Sequence, residues 1–136
     1  MKKTIALLFA AVILFSCSNS TSNKAGGATG NTVNSNLFAV AKEINKKCPM
    51  PVDEMTRLDS ATVFNEYLIT FHYTVHAVSN KAVDLKKFKT SMETSMNEKY
   101  KTDPQLAIYR DNNIAIAYDY KDKDGGFLCY FVCGGK

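Results

Sequence analysis

The spacing of apolar residues changes several times along the chain, and the first stretch is an unbroken apolar run over residues 5–15, directly after Lys2 and Lys3. As a helix, these eleven residues would rise about 16 Å, well short of the roughly 30 Å hydrocarbon core of a bilayer. A basic start followed by a short apolar run is typical of a secretory signal segment. We therefore predict that the chain is exported.

Residues 18–35 have the opposite character, with one charged residue, no aromatic residue and many Ser, Asn, Thr and Gly residues. Such a segment cannot bury enough apolar surface to offset the entropy lost on ordering. The sequence thus predicts a disordered tether, followed by one domain over residues 36–136. That length fits a single domain and leaves no room for two.

The first half of the domain changes from helical spacing to strand spacing. Strict alternation over residues 58–64, and again over 67–76, predicts two strands that form a hairpin around Asn65-Glu66. The helix before them would end at the prolines of Cys48-Pro49-Met50-Pro51. Its apolar stripe, at i, i+3, i+4 and i+7, consists of Leu37, Val40, Ala41 and Ile44.

The second half repeats this order. Asp84 is placed to cap a second helix, and a short helical turn is predicted over residues 105–109. Alternation over residues 114–120 and 127–133, joined by a loop that contains Gly125 and Gly126, predicts a second hairpin. The apolar stripe of the second helix consists of Leu85, Phe88, Met92, Met96 and Tyr100.

The element order α-β-β-α-β-β predicts an α+β fold. We expect a single antiparallel sheet of about four strands in two hairpins, with two main helices on one face. Two helices leave the other face uncovered, and a charge placed at Thr70 or Thr74 should then leave stability nearly unchanged. The candidate binding face consists of Leu68, Thr70, His72, Thr74 and His76.

Leu14-Phe15-Ser16-Cys17 follows the apolar run, where a cleavage site is expected. It resembles the lipobox of bacterial lipoproteins, and the bulky Phe15 resembles the Bacteroidetes type. The resemblance implies a signal peptide over residues 1–16, a lipidated Cys17 and a tether over 17–35. Two or three acyl chains such as palmitate would anchor the protein essentially permanently. Ser18, in place of Asp, implies the outer membrane, and the lack of an acidic run after Cys17 favours a domain that faces the periplasm.

A second resemblance covers most of residues 45–130. Thr56-Arg57-Leu58-Asp59-Ser60, together with Cys48-Pro49, resembles a small exported bacterial domain that is uncharacterised. It supports one compact domain and implies no activity. Arg57 and Asp59 within this stretch would share a strand face and could pair with each other or cap the edge of the sheet. The further matching positions are Val52-Asp53, Tyr118-x-Tyr120 and Asp124-Gly125.

Removal of the signal segment changes the charge of the protein. The net charge of +4 falls to +2 once Lys2 and Lys3 are lost, so no nucleic-acid partner is expected. The expected partners are the lipid bilayer, through acylated Cys17, and an unidentified envelope protein.

Three cysteines remain after Cys17. Cys129 and Cys133 lie four apart in a predicted strand, hence about 13 Å apart, too far for a disulfide with each other. Two alternatives are equally open: Cys48 forms a bridge with Cys129 or Cys133, or all three cysteines are free, buried thiols. A reactive redox thiol would need a C-x-x-C motif or a basic neighbour, and neither is visible.

No arrangement of residues in the sequence indicates catalysis, a cofactor or a metal. His72 and His76 are about 13 Å apart on a strand and cannot share a zinc ion. Asp122-x-Asp124-Gly125 lacks the rest of a calcium loop and is explained by a turn. The leading hypothesis is a non-catalytic binding or inhibitory module in the envelope. The alternative is a small periplasmic thiol-redox protein or another enzyme.

Overall fold

A computed structural model describes residues 37–135, so the predicted signal peptide, Cys17 and the tether lie outside the described residues. The helices are α1 (Leu37–Asn45), α2 (Leu85–Thr102) and α3 (Ala107–Asp111), with a 3₁₀ turn (Pro104–Leu106) before α3. The strands are β1 (Met50–Pro51), β2 (Thr56–Asn65), β3 (Leu68–Val75), β4 (Ala115–Asp122) and β5 (Phe127–Cys133).

The strands form one five-stranded mixed sheet in the order β1-β2-β3-β4-β5. β3 and β4 are parallel, with Leu68 opposite Ala115 and Val75 opposite Asp122, whereas the other pairs are antiparallel. The prediction of about four antiparallel strands in the order α-β-β-α-β-β is therefore wrong. The helical connection through α2 returns the chain to the end where β3 began, so β4 enters beside β3 in the same direction.

The helices cover one face of this sheet, here called the inner face. Leu37 and Ala41 of α1 and Met96 of α2 pack in one cluster with Ile69 and Ile116 of the central strands. Alternation along β3 and β4 directs every second side chain to this face. The same cluster contains the aromatic side chains Tyr118, Tyr120 and Phe131 and the thiols Cys129 and Cys133.

An array of aromatic rings fills the centre of the inner face. The ring of Tyr73 stacks on that of Tyr120 with centroids 5.0 Å apart, and Tyr118 stacks on Phe131 at 5.3 Å. Burial raises the pKa of all three tyrosines well above its usual range. The hydroxyl of Tyr120 is buried and, among the described residues, has no hydrogen-bond partner.

Both ends of α2 are fixed by specific contacts. Asp84 is the N-cap, as predicted, and accepts a hydrogen bond from the N–H of Lys87 at 3.1 Å. At the other end, the hydroxyl of Tyr100 donates to the carbonyl of Ile114 at 2.9 Å. Gly134, with φ of +72°, lies so close that an added Cβ would sit 2.1 Å from the Tyr100 ring. The chain just after β5 therefore packs directly on the Tyr100 ring of α2, where only a glycine leaves enough room.

Candidate functional site

The face of the sheet opposite the helices, here called the open face, is the candidate site. The register places His72 between Ser60 and Asp119, and Tyr130 beside Asp119, so one row of side chains crosses four strands. The neighbouring rows are Thr62, Thr70, Ala117 and Val132 on one side, and Arg57, Thr74 and Lys121 on the other.

His72 is held from both sides. Its Nδ1 lies 2.9 Å from Oδ2 of Asp119, and its Nε2 lies 2.9 Å from Oγ1 of Thr62. A carboxylate only accepts hydrogen bonds, so Nδ1 carries a proton, and in the neutral ring Nε2 accepts from the Thr62 hydroxyl. Asp119 thereby fixes the orientation of the ring and its tautomer.

A second polar cluster lies in the next rows. Arg57 Nε donates to Asp59 Oδ1 at 2.6 Å, which confirms the predicted pair. Thr74 Oγ1 donates to Asp59 Oδ2 at 2.6 Å. A register shift between Leu58 and Ser60 removes Asp59 from the regular pairing, and its carboxylate bonds to side chains on both strands. Six polar side chains of the open face, in β2, β3 and β4, are thus fixed before any partner binds.

The connection Asp119–His72–Thr62 has the order of an acid, a base and a hydroxyl, as in nucleophilic hydrolases. Acyl transfer also needs N–H donors that stabilise the developing oxyanion. On the face of a sheet, the backbone N–H groups lie in the plane of the strands and are bonded to neighbouring strands. The backbone of the described strands therefore supplies no such donors on the open face, and the fixed polar groups there suit recognition.

The structure modifies the predicted binding face. Thr70 and His72 lie on the open face, and Leu68 lies half-buried at its end. Thr74 is only 9% exposed and bonds to Asp59, so a charge there would be buried, contrary to the prediction for this residue. His76 follows the end of β3 in an exposed turn, and its N–H donates to the carbonyl of Met55.

Three residues of the open face escaped the sequence analysis: Thr62, Asp119 and Tyr130. The alternation in β4 places Asp119 on the face opposite Tyr118 and Tyr120, which is a usable signal. Its contact with His72, 47 residues away, depends on the parallel pairing of β3 and β4. That pairing was not predicted, so the contact could not be.

The three cysteines in the described part of the chain are free, so the structure does not support a bridge and agrees with the alternative of three free thiols. Cys48 precedes β1 at one edge of the sheet, whereas Cys129 and Cys133 lie in β5 at the other, roughly 19 Å away at the usual strand spacing. A disulfide requires Cα atoms within about 7 Å.

The environment of these thiols also differs from that of a redox site. Burial raises the pKa of Cys129 and of Cys133 to about 11, and it raises the pKa of Cys48. Reactive thiols have a lowered pKa because the thiolate is the nucleophile. The two thiols in β5 therefore stay protonated at neutral pH.

Asp122 forms a backbone turn. Its Oδ1 accepts from the N–H groups of Asp124 and Gly126, and its Oδ2 accepts from the N–H of Asn80. These bonds lower the pKa of the Asp122 carboxyl. Both oxygens are thus used by the backbone, as the turn interpretation predicts.

Within residues 37–135, no group of three or more His, Cys, Asp or Glu side chains could hold a metal ion. Of the helices in these residues, none is both long and apolar enough to cross a membrane.

The fold occurs in solved structures of other bacterial proteins. A Pseudomonas aeruginosa protein, provisionally described as secreted, shares 14% identity over 75% of this chain and 88% of its own, with a TM-score of 0.59. The Vibrio vulnificus type 2 secretion pilotin EpsS shares 8% sequence identity over 71% of this chain and 82% of its own, with a TM-score of 0.56. The Vibrio cholerae type II secretion pilotin AspS shares 10% sequence identity over 71% of this chain and 83% of its own, with a TM-score of 0.54.

Sequence comparison gives the family. No match was found among curated proteins. Residues 32–129 match a family described as a domain of unknown function, DUF8479. That match includes α1 and extends to Cys129 in β5, and thus takes in nearly the whole described domain. The chain belongs to the DUF8479 family.

Proposed function

We propose that the protein is a non-catalytic lipoprotein of the bacterial envelope, anchored through acylated Cys17, whose domain binds another envelope protein through the open face. The apolar run with its lipobox resemblance supports export and anchoring. Two structural neighbours are described as pilotins of type 2 secretion systems and a third as secreted, which supports a place in the envelope.

The observation that carries the binding role is the fixed polar network around His72. Asp119 and Thr62 hold both ring nitrogens, so these side chains lose little further conformational freedom when a partner binds. Beside them, Tyr130 and Val132 are 42% and 41% exposed. Exposed apolar groups next to fixed hydrogen-bonding groups are the composition of a protein interface.

Photo-crosslinking in living cells tests this surface. A photoreactive residue in place of Thr70, which lies beside the network on the open face, should give a discrete adduct with one envelope protein, and that adduct should be lost when His72→Ala is added. Thr94, an exposed threonine of α2, is the matched control position and should give no such adduct. Identical adducts from both positions, or none from position 70, would contradict the proposed face.

Metabolic labelling with radioactive palmitate tests the anchor. The wild-type chain and the Cys48→Ser variant should incorporate label and partition with membranes. Cys17→Ser should incorporate none and should retain its signal segment. Equal labelling of Cys17→Ser and wild type would contradict lipidation at Cys17, whatever the result at the open face.

A further inference from the structure

Among the residues that the structure describes, no strand pairs with the side of β5 that faces away from β4. β5 is the last strand, so one row of its backbone N–H and C=O groups points outward. Among residues 37–135, the backbone hydrogen bonds outside regular helices and strands do not involve residues 127–133. The edge is seven residues long, with the sequence FLCYFVC, and carries no charge.

The opposite edge of the same sheet is shielded. β1 has only two residues and ends at Pro51, which lacks an N–H group. Beyond β1, the side-chain amide of Asn45 bonds to both the N–H and the carbonyl of Ala61. Short strands, prolines and charged side chains are the usual means by which proteins protect sheet edges. β5 contains neither a proline nor a charged residue.

The side chains along β5 also leave apolar surface uncovered. Tyr130 and Val132 are exposed on the open face, beside the free backbone edge, and Phe127 is 54% exposed at the start of the strand. A further strand at this edge would pair with the backbone and place its own side chains beside Tyr130 and Val132 on the open face. Backbone pairing supplies affinity in such contacts, and alternate side chains supply specificity.

We propose that β5 pairs antiparallel with β5 of a second copy of this chain, to form a continuous ten-stranded sheet. Two identical strands related by a two-fold axis are self-complementary, because the outward N–H groups of each strand face the outward C=O groups of the other. Since β5 is uncharged, no like charges face each other in this pairing. Tyr130, the middle residue, would face its own copy as an aromatic cross-strand pair.

This dimer goes beyond the proposed function and does not depend on it. The pairing would bring the open faces of both copies into one surface. The row that contains His72, Asp119 and Tyr130 would continue across the two-fold axis. A partner with two equivalent binding segments could then contact both copies at once.

Sedimentation velocity of the full-length protein, extracted from the envelope in excess detergent, tests the dimer over a range of concentrations. Wild type should sediment as a dimer. Val132→Lys should raise the dissociation constant at least about tenfold, because the ammonium group would be placed against the paired strand. Phe64→Lys is the control, since Phe64 is 81% exposed in β2, outside the proposed interface, and the dimer should persist.

Two results would overturn the proposal: a wild-type protein that stays monomeric at every concentration, or a dimer that Val132→Lys leaves intact. A monomer would indicate that another segment or a different protein covers the edge. Circular dichroism checks that the variant is folded. If Val132→Lys does not fold, Tyr130→Lys gives the same test at a second exposed position of the strand. The sedimentation of the wild-type protein shows independently whether it is a monomer or a dimer.

Discussion

Asn45, the last residue of α1, takes the place of a neighbouring strand beside Ala61 of β2. Its Nδ2 donates to the Ala61 carbonyl at 2.8 Å, and the Ala61 N–H donates to its Oδ1 at 2.7 Å. β1 pairs with β2 only at Arg57 and Leu58, so Ala61 lies beyond its reach. One side-chain amide therefore joins α1 to the sheet and satisfies the edge of β2.

Asn45→Ala should lower the free energy of unfolding by about 1–3 kcal/mol, because a partly buried N–H and carbonyl lose their partners. Urea denaturation measures this change. Asn112→Ala is the control, since the Asn112 side chain donates to the carbonyl of Ile108 at an exposed site. Water can replace that bond, so the loss should be about 0.5 kcal/mol or less. Equal losses in the two variants would contradict the role of Asn45.

Two tyrosines of the core should respond in opposite directions to the loss of their hydroxyl groups. Tyr120 has a buried hydroxyl without a partner among the described residues, so Tyr120→Phe should raise the free energy of unfolding by about 1 kcal/mol. Tyr100 donates to the carbonyl of Ile114, so Tyr100→Phe should lower it by about 1 kcal/mol. Thermal denaturation of both variants measures the difference. Destabilisation by Tyr120→Phe would show that its hydroxyl is bonded in solution.

Thr74 and Thr70 lie four residues apart on the same face of β3 and allow a matched test of the open face. Thr74→Val keeps the shape of the side chain but removes the donor to Asp59, and it should cost about 1 kcal/mol. Thr70→Val should change the free energy of unfolding by less than about 0.5 kcal/mol. A similar loss in both would indicate that shape, and not the bond to Asp59, determines stability here.

The local elements of this fold could be predicted because each depends on nearby residues. The helical stripe from Leu85 to Tyr100 and the cap at Asp84 locate α2. Strict alternation locates β3 and directs Ile69, Phe71 and Tyr73 to one face, where the structure has them packed against the core. The pair formed by Arg57 and Asp59 follows from the same alternation.

The relations between distant elements could not be predicted in the same way. β1 is two residues long, too short to show any periodicity. The parallel pairing of β3 with β4 depends on how α2 crosses the inner face, which no local pattern specifies. His72 therefore had no visible partner in the sequence, and Cys48 could not be placed at the edge opposite Cys133. The missing partner of His72 follows from the unpredicted pairing of β3 with β4, and the position of Cys48 also depends on the pairing of β1 with β2.

Alkaline pH should destabilise the domain through its buried thiols. Burial raises the pKa of Cys129 and of Cys133 from 9.0 to about 11, so between these values the unfolded chain releases protons that the folded chain retains. The free energy of unfolding should be constant with respect to these groups below about pH 9. It should then fall by at most about 1.4 kcal/mol per pH unit for each thiol until pH 11.

Urea denaturation at successive pH values measures this slope, and Cys133→Ala, which lacks one of the two thiols, should show a shallower fall. The native thiols can be checked independently with an aromatic disulfide reagent. At pH 8, Cys129 and Cys133 should react only after unfolding, because they are buried and protonated. Rapid reaction of either thiol in the folded protein would contradict this assignment and would favour the thiol-redox alternative.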